Sequence, residues 1–199
     1  MIKLIIFDLD GVLVDARELH YNALNKALKS VGDEYVIGRD EHLSTYDGLT
    51  TTKKLKMLTD SKNLPVNLHN TIYKMKQDMT INLIDGFSID NRIQGILRSF
   101  KSEGYTIACA TNSIRKTAKL QLIRRGFFEY IDFLYTNQDV KNPKPNSEIY
   151  LRCMVKSGVN PTETVIVEDS HIGRKAALSS GAYLCAVEDC EDVTYYKVK

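Results

Sequence analysis

The chain has 199 residues, and its 27 Lys and Arg against 25 Asp and Glu leave a formal charge of +2. This length suits one domain, or one with a small second unit, and 43% hydrophobic with 26% charged residues excludes a disordered or membrane-embedded chain. A charge so close to zero lends no support to a nucleic-acid or anionic-membrane partner.

Residues 3–9, KLIIFDL, form a short apolar and β-branched run that stops abruptly at Asp-Gly, as a buried strand does. Helical spacing follows over residues 15–31, with Leu19, Ala23, Leu24, Ala27, Leu28 and Val31 on one side and Gly32 closing it. Residues 39–83 continue as polar helical material without a strand. Met75, Met79 and Leu83 recur at i, i+4, i+8 and predict a packing stripe. After Asp85-Gly86 the rhythm becomes an alternation of helix and strand. A helix over residues 89–103 leads to the strand YTIACA, and one between Ser113 and Gly126 leads to IDFLYT. A third, over residues 147–156, precedes TVIVE, and a fourth, over residues 171–180, precedes AYLCAV. Such alternation predicts an α/β fold, a parallel Rossmann-like sheet covered on both faces. The helical stretch after the first strand is too long for one crossover. It predicts an inserted α-helical cap subdomain over residues 15–86, with the core formed by 1–14 and 87–199.

The four cysteines form no C-x-x-C and no zinc-spaced cluster, and nothing argues that Cys185 and Cys190 pair. The N-terminal apolar run is too short for a signal-peptide core or a membrane span, so reduced thiols in a cytoplasmic setting are expected.

Ligands of open parallel sheets sit beyond the C-terminal strand ends. Strand one ends in Asp8-Leu9-Asp10-Gly11, strand two in Thr111-Asn112-Ser113, and strand four in Glu168-Asp169-Ser170; the loop after strand three carries Lys141-Asn142-Pro143-Lys144-Pro145. Two carboxylates one residue apart can serve one site if the chain leaves its strand there, which Gly11 permits. Asp8 would then be a nucleophile toward phosphorus and Asp10 a general acid/base; D-x-D-G alone is a modest signal that a solvated turn also gives, a reading weakened by its place directly after the apolar strand. Carboxylates brought together from strands one and four need a neutralising cation, and oxygen-only ligands favour Mg²⁺. By itself Asp169 or Ser170 could instead cap the helix beginning at His171. Thr111 can donate its hydroxyl to a phosphoryl oxygen, or serve as a helix cap. Lys144, stiffened between two prolines, is suited to countering phosphoryl charge.

Together these segments resemble the haloacid dehalogenase superfamily, in its phosphatase and phosphomutase branch with a helical cap after the first strand. IIFDLDGVLVD resembles the first motif, ACATNS the second, VKNPKPNSEIY the third and VIVEDSHIGRKAA the fourth. The resemblance implies that Asp8 is phosphorylated and that Asp10 is the acid/base, its backbone carbonyl also on the metal. It implies that Thr111 and Lys144 hold phosphate, and that Glu168 and Asp169 anchor Mg²⁺. The third motif departs from the usual pattern at Pro143 and Ser147; Lys144 is preferred to Lys141 because Lys144-Pro145 and Tyr150 keep the usual spacing. The dehalogenases lack the second aspartate, so Asp10 argues against dehalogenation.

The function implied is Mg²⁺-dependent hydrolysis of a small phosphomonoester, with Asn112, His20, Thr51 and Lys74 as candidate substrate contacts. A β-phosphoglucomutase-like activity is the alternative. His20 sits where such mutases have a histidine, and Lys74 or Lys76 could meet a sugar phosphate, but Thr51 stands where the mutase-like pattern has a cap arginine. A non-catalytic binding or regulatory domain is the third reading, disfavoured by four intact motifs. Substrate and oligomeric state have no signature.

Overall fold

A computed structural model describes residues 1–199. Strand β1 (Leu4–Phe7) is followed by helices α1 (Arg17–Lys29), α2 (Arg39–Glu41), α3 (Thr51–Lys62) and α4 (His69–Ile84), with a π-helical turn at His42–Tyr46. The alternating part then runs α5 (Asn91–Ser102), β2 (Thr106–Ala110), α6 (Arg115–Arg124), β3 (Phe133–Tyr135), α7 (Glu148–Ser157), β4 (Thr164–Glu168), α8 (His171–Ser179) and β5 (Tyr183–Ala186), and a short α9 (Tyr195–Val198) ends the chain.

All five strands are parallel, in the order β3-β2-β1-β4-β5. This is the α/β sheet that the helix–strand alternation predicts. The β1 side chains divide between the two faces, as the strand's period of two demands. Ile5 and Phe7 pack with Ile93, Leu97 and Phe100 of α5 and with Leu122 of α6. Leu4 and Ile6 pack with Ile149, Tyr150 and Cys153 of α7 and with Ala176 and Ala177 of α8. Each fully buried Leu, Ile or Phe stabilises the fold by about 1.5–3 kcal/mol. A third cluster, Leu24, Leu28, Ile37, Tyr46, Leu55, Leu58 and Ile72, belongs to the helices inserted after β1.

Helix α1 ends at Lys29 as expected: the Ser30 hydroxyl donates back to the Ala27 carbonyl, and the Gly32 amide closes the end on the Leu28 carbonyl at 3.2 Å. One local expectation changes. In α4 the buried side is Ile72, Lys76, Gln77, Thr80 and Ile84, whereas Leu83 is 46% exposed. The Met75–Met79–Leu83 stripe is thus not the packed face. The helix turns a polar row inward, because what it covers is a polar cleft. No helix is long and apolar enough to cross a membrane, and all four cysteines are free.

From β1 the chain moves outward to β2 and β3, then crosses back through α7 to β4 on the other side of β1, so the direction of winding reverses between β1 and β4. The crevice at such a reversal opens at the C-terminal strand ends, where Asp8, Thr111 and Glu168 lie.

Candidate active site

Asp8 continues β1 by one residue, its amide donating to the Val167 carbonyl at 3.0 Å. The chain then turns sharply: the Gly11 amide donates to the Val14 carbonyl at 2.7 Å, and Gly11 has φ +96°. Glycine is required there twice over. Any other residue would be strained at that φ, and a Cβ would lie 2.1 Å from Asp169 Oδ2.

Lys144 ties the first, third and fourth motifs together. Its Nζ donates to Asp8 Oδ1 at 2.7 Å, the Ala110 carbonyl at 2.8 Å and Glu168 Oε1 at 2.6 Å, using all three ammonium protons. Burial alone would lower its pKa, but the Asp8 and Glu168 carboxylates outweigh burial and raise it, so it stays charged. Lys141 is exposed, its backbone amide held by Glu148. Glu168, fully buried, also accepts from the Tyr150 hydroxyl and lies over Gly173, where a Cβ would meet its carboxylate at 2.0 Å.

Asp10 is held differently. Its Oδ2 accepts from Ser113 Oγ at 2.6 Å and its Oδ1 from Gln121 Nε2 at 3.1 Å, and His20 Nε2 stands 3.0 Å from Oδ1. Burial pushes this carboxyl up, but His20 and the Ser113 and Gln121 donors outweigh it and hold Asp10 below the usual carboxylate range. Lys76 Nζ is 3.1 Å from His20 Nδ1. An ammonium can only donate there, which assigns the ring proton to Nε2, facing Asp10. Burial, and secondarily Lys76, lower the His20 pKa against the pull of Asp10.

Ligand oxygens of Asp8, Glu168 and Asp169 lie within 4.8 Å of one another. Asp169 Oδ2 takes Arg17 Nη2 at 2.7 Å and Nε at 3.1 Å, while its Oδ1 is buried without a partner. Burial and the neighbouring carboxylates raise the Asp8 pKa well above its ordinary value, against Lys144. Burial and Glu168 push Asp169 up to about 6, against Arg17. Crowded buried carboxylates with an orphaned oxygen fit a small hard cation such as Mg²⁺. The Asp10 side chain is outside this cluster, since both its oxygens are occupied elsewhere; only its backbone carbonyl is left for the metal role the resemblance implies.

Thr111 is buried at the end of β2, its Oγ1 accepting from the Ser113 amide at 3.0 Å, which leaves the hydroxyl proton to donate. Asn112 lines the cleft; its Nδ2 donates to the Gly48 carbonyl at 2.8 Å and the Lys144 carbonyl at 3.1 Å, and its Oδ1 accepts from the Lys144 amide at 3.1 Å. Thr51 lines the cleft from the first turn of α3. Lys74 does not reach it. On α4 it is exposed, and Lys76, two residues on and about 200° around the helix, takes the inward place. Two inward residues escaped the sequence reading, Lys54 and Gln121, and the contact of Arg17 with Asp169 has no signal in the sequence. Lys54 follows Thr51 at i+3 and so shares its face, a signal that was available.

A family model described as haloacid dehalogenase-like hydrolase matches residues 5–187. The phosphorylated carbohydrates phosphatase of Thermotoga maritima is 29% identical over 177 residues, 89% of this chain and 81% of that protein. The fructose-1-phosphate phosphatase YqaB of Escherichia coli is 24% identical over 89% of this chain and 92% of its own. The crystal structure of β-phosphoglucomutase from Clostridium difficile superposes with a TM-score of 0.86 at 24% identity, covering 98% of this chain and 95% of that one. The chain belongs to the haloacid dehalogenase-like hydrolases. Within that family the curated relatives just named are phosphatases, and the fold is the one β-phosphoglucomutase has.

Proposed function

We propose that the protein is a Mg²⁺-dependent hydrolase of a small phosphomonoester, working through an aspartyl-phosphate at Asp8, with residues 15–86 forming a cap over the site. The observation that carries this reading is the Lys144 ammonium bonded at once to Asp8 and Glu168. It engages Asp8 Oδ1, leaving Oδ2 with no protein donor and free to attack phosphorus.

Mg²⁺ held by Asp8, Asp169 and, directly or through water, Glu168 would supply charge neutralisation at the phosphoryl oxygens. The Thr111 hydroxyl binds the same group from the protein side, while the Lys144 ammonium, its three protons held by Asp8, Glu168 and the Ala110 carbonyl, counters the phosphoryl charge from beside Asp8. Asp10 gives a proton to the leaving oxygen and later takes one from the attacking water. It is ionised in the resting site, and an arriving phosphoryl dianion raises its pKa. The proton it gives is one it takes up from solvent as the phosphoryl group binds, while the His20 Nε2–H, with Lys76 at Nδ1, stays on the ring. Closed over by the cap, the site excludes bulk water, which strengthens each of these interactions.

Replacing Asp8 by Asn tests the mechanism: turnover of phosphomonoesters should vanish while the thermal unfolding transition remains. Retained activity in that variant defeats the reading. A mutase is the second reading, favoured by the likeness to β-phosphoglucomutase in fold and by His20 and Lys76 beside Asp10. Incubation with glucose 1-phosphate and a bisphosphate primer separates the two, since isomer formation marks a mutase and free phosphate a hydrolase.

A further inference from the structure

Two ammonium groups in the cleft have no counter-ion. Lys54 of α3 is 7% exposed and Lys76 of α4 is 8% exposed, and both line the same cleft as Asp8. Neither nitrogen has a carboxylate oxygen within the 4.0 Å of an ion pair. Their nearest partners are imidazole nitrogens: His42 Nε2 at 3.5 Å from Lys54 and His20 Nδ1 at 3.1 Å from Lys76. Lys54 also repels Lys76, His20 and His42. The carboxylates that attract Lys54 from further off are Asp47 and Asp10, and Asp10 is already held by Ser113, Gln121 and His20.

Burying an unpaired ammonium is costly even after the surroundings relax. Burial pushes both lysines down to about 8. Two such groups side by side in a packed cap make no structural sense as ion pairs, for they have none. They do make sense as half of a pair whose other half arrives with the ligand. Lys144 and Thr111 already serve the transferring phosphoryl group at the strand ends, so the cap lysines are left for something else on the same molecule.

We propose that Lys54 and Lys76 form a second anion site in the cleft, and that the substrate carries, besides the phosphoryl group that is transferred, a second oxyanionic group, phosphate or carboxylate. Lys54 is then a specificity-determining residue: it selects the tail of the substrate and takes no part in the chemistry. The proposal rests on the phosphomonoesterase reading for the identity of the reacting group.

The test uses matched substrate pairs that differ only in the tail: glucose 1-phosphate against glucose 1,6-bisphosphate, and glycerol 3-phosphate against 3-phosphoglycerate. In the native enzyme with Mg²⁺ the doubly anionic member of at least one pair should have a kcat/KM about 10- to 100-fold higher, the range of a charge-assisted contact. The first pair winning assigns the tail as phosphate, the second as carboxylate. Lys54→Met should collapse that ratio toward one, Lys54→Arg should restore it, and Lys74→Met, on the outer face of α4, should leave it alone. Binding of the same pairs to Asp8→Asn, by calorimetry, reads the tail preference without turnover. If the native protein hydrolyses nothing yet binds the doubly anionic member more tightly through Lys54, the phosphatase reading fails and the anion site stands. No preference in either assay, or equal losses for both members in Lys54→Met, overturns the site. Thermal unfolding gives the remaining check. Removing an uncompensated buried charge should raise the Tm of Lys54→Met, and a lowered Tm would make Lys54 a structural residue instead.

Discussion

The side-chain amide of Asn112, at the end of β2, donates to the backbone carbonyl of Gly48, in the loop before α3, at 2.8 Å. The same side chain binds Lys144 through both its backbone amide and its carbonyl. One residue thus joins the helical insertion to the loop that carries Lys144. Asn112→Ala should lose this link and leave partly buried backbone groups unpaired, at about 1–3 kcal/mol. We expect kcat/KM to fall about 10-fold or more and the urea midpoint to drop. Unchanged kinetics in a stably folded variant would show that the link does not matter for turnover.

Gly173 makes room for Glu168. With the carboxylate held by Lys144 and Tyr150, a Cβ 2.0 Å away has nowhere to go. Gly173→Ala should therefore destabilise by about 1–3 kcal/mol and weaken Mg²⁺ binding. Gly95, in the middle of α5 with nothing within 4 Å of a Cβ, is the control. Gly95→Ala should stabilise by about 0.4–1 kcal/mol. Both are read by thermal unfolding, with a Mg²⁺ titration for the first.

Lys54 and Lys76 titrate near 8 when folded, against an ordinary value of 10.5. Between those values the unfolded chain binds more protons than the folded one, so these two groups make stability rise with pH over that window. Substrate affinity should move the other way. As pH passes 8 the ammonium charges are lost, and kcat/KM for an anionic substrate should decline by about 10- to 100-fold before levelling off. Measurements of kcat/KM and Tm across this window check both directions, and a flat kcat/KM would remove the lysines from substrate binding.

The acidic cluster has its own pH signature. With Asp169 pushed up to about 6, protons compete with Mg²⁺ for this carboxylate below that pH, and metal affinity should fall as pH drops through 6. Added Mg²⁺ should raise Tm by mass action at pH 7, and EDTA should reverse it. In Asp169→Asn most of this Mg²⁺-dependent rise should be gone, and activity should fall by about 100-fold or more, the scale of one lost electrostatic contact in catalysis. A full Mg²⁺ response in that variant would take Asp169 out of the ligand set.

Much of the core was legible because parallel strands buried on both faces must be continuous apolar runs. Where such a run breaks into Asp8-x-Asp10, Thr111 or Glu168-Asp169, the break marks the strand end and the site together. The helices α5, α7 and α8 were legible for a similar reason: their apolar faces meet an apolar sheet. The rule failed on α4, where Met75, Met79 and Leu83 have the right spacing but the buried row is Ile72, Lys76, Thr80 and Ile84. Apolar periodicity finds the inward face only when the interior is apolar, and α4 covers a polar cleft.

Local composition and strand-end position by themselves determined the α/β class, the order of the elements and the residues gathered at the C-terminal edge, because those follow from periodicity along the chain. Only the tertiary structure decided that Lys76 and not Lys74 faces the cleft, that Lys54 joins it, that Arg17 takes one oxygen of Asp169, and that the Asp10 side chain belongs to Ser113, Gln121 and His20. Those pairings join residues from separate elements. The net charge of +2 sums the buried acids and the cap lysines without showing either group, since which charge meets which is set by packing.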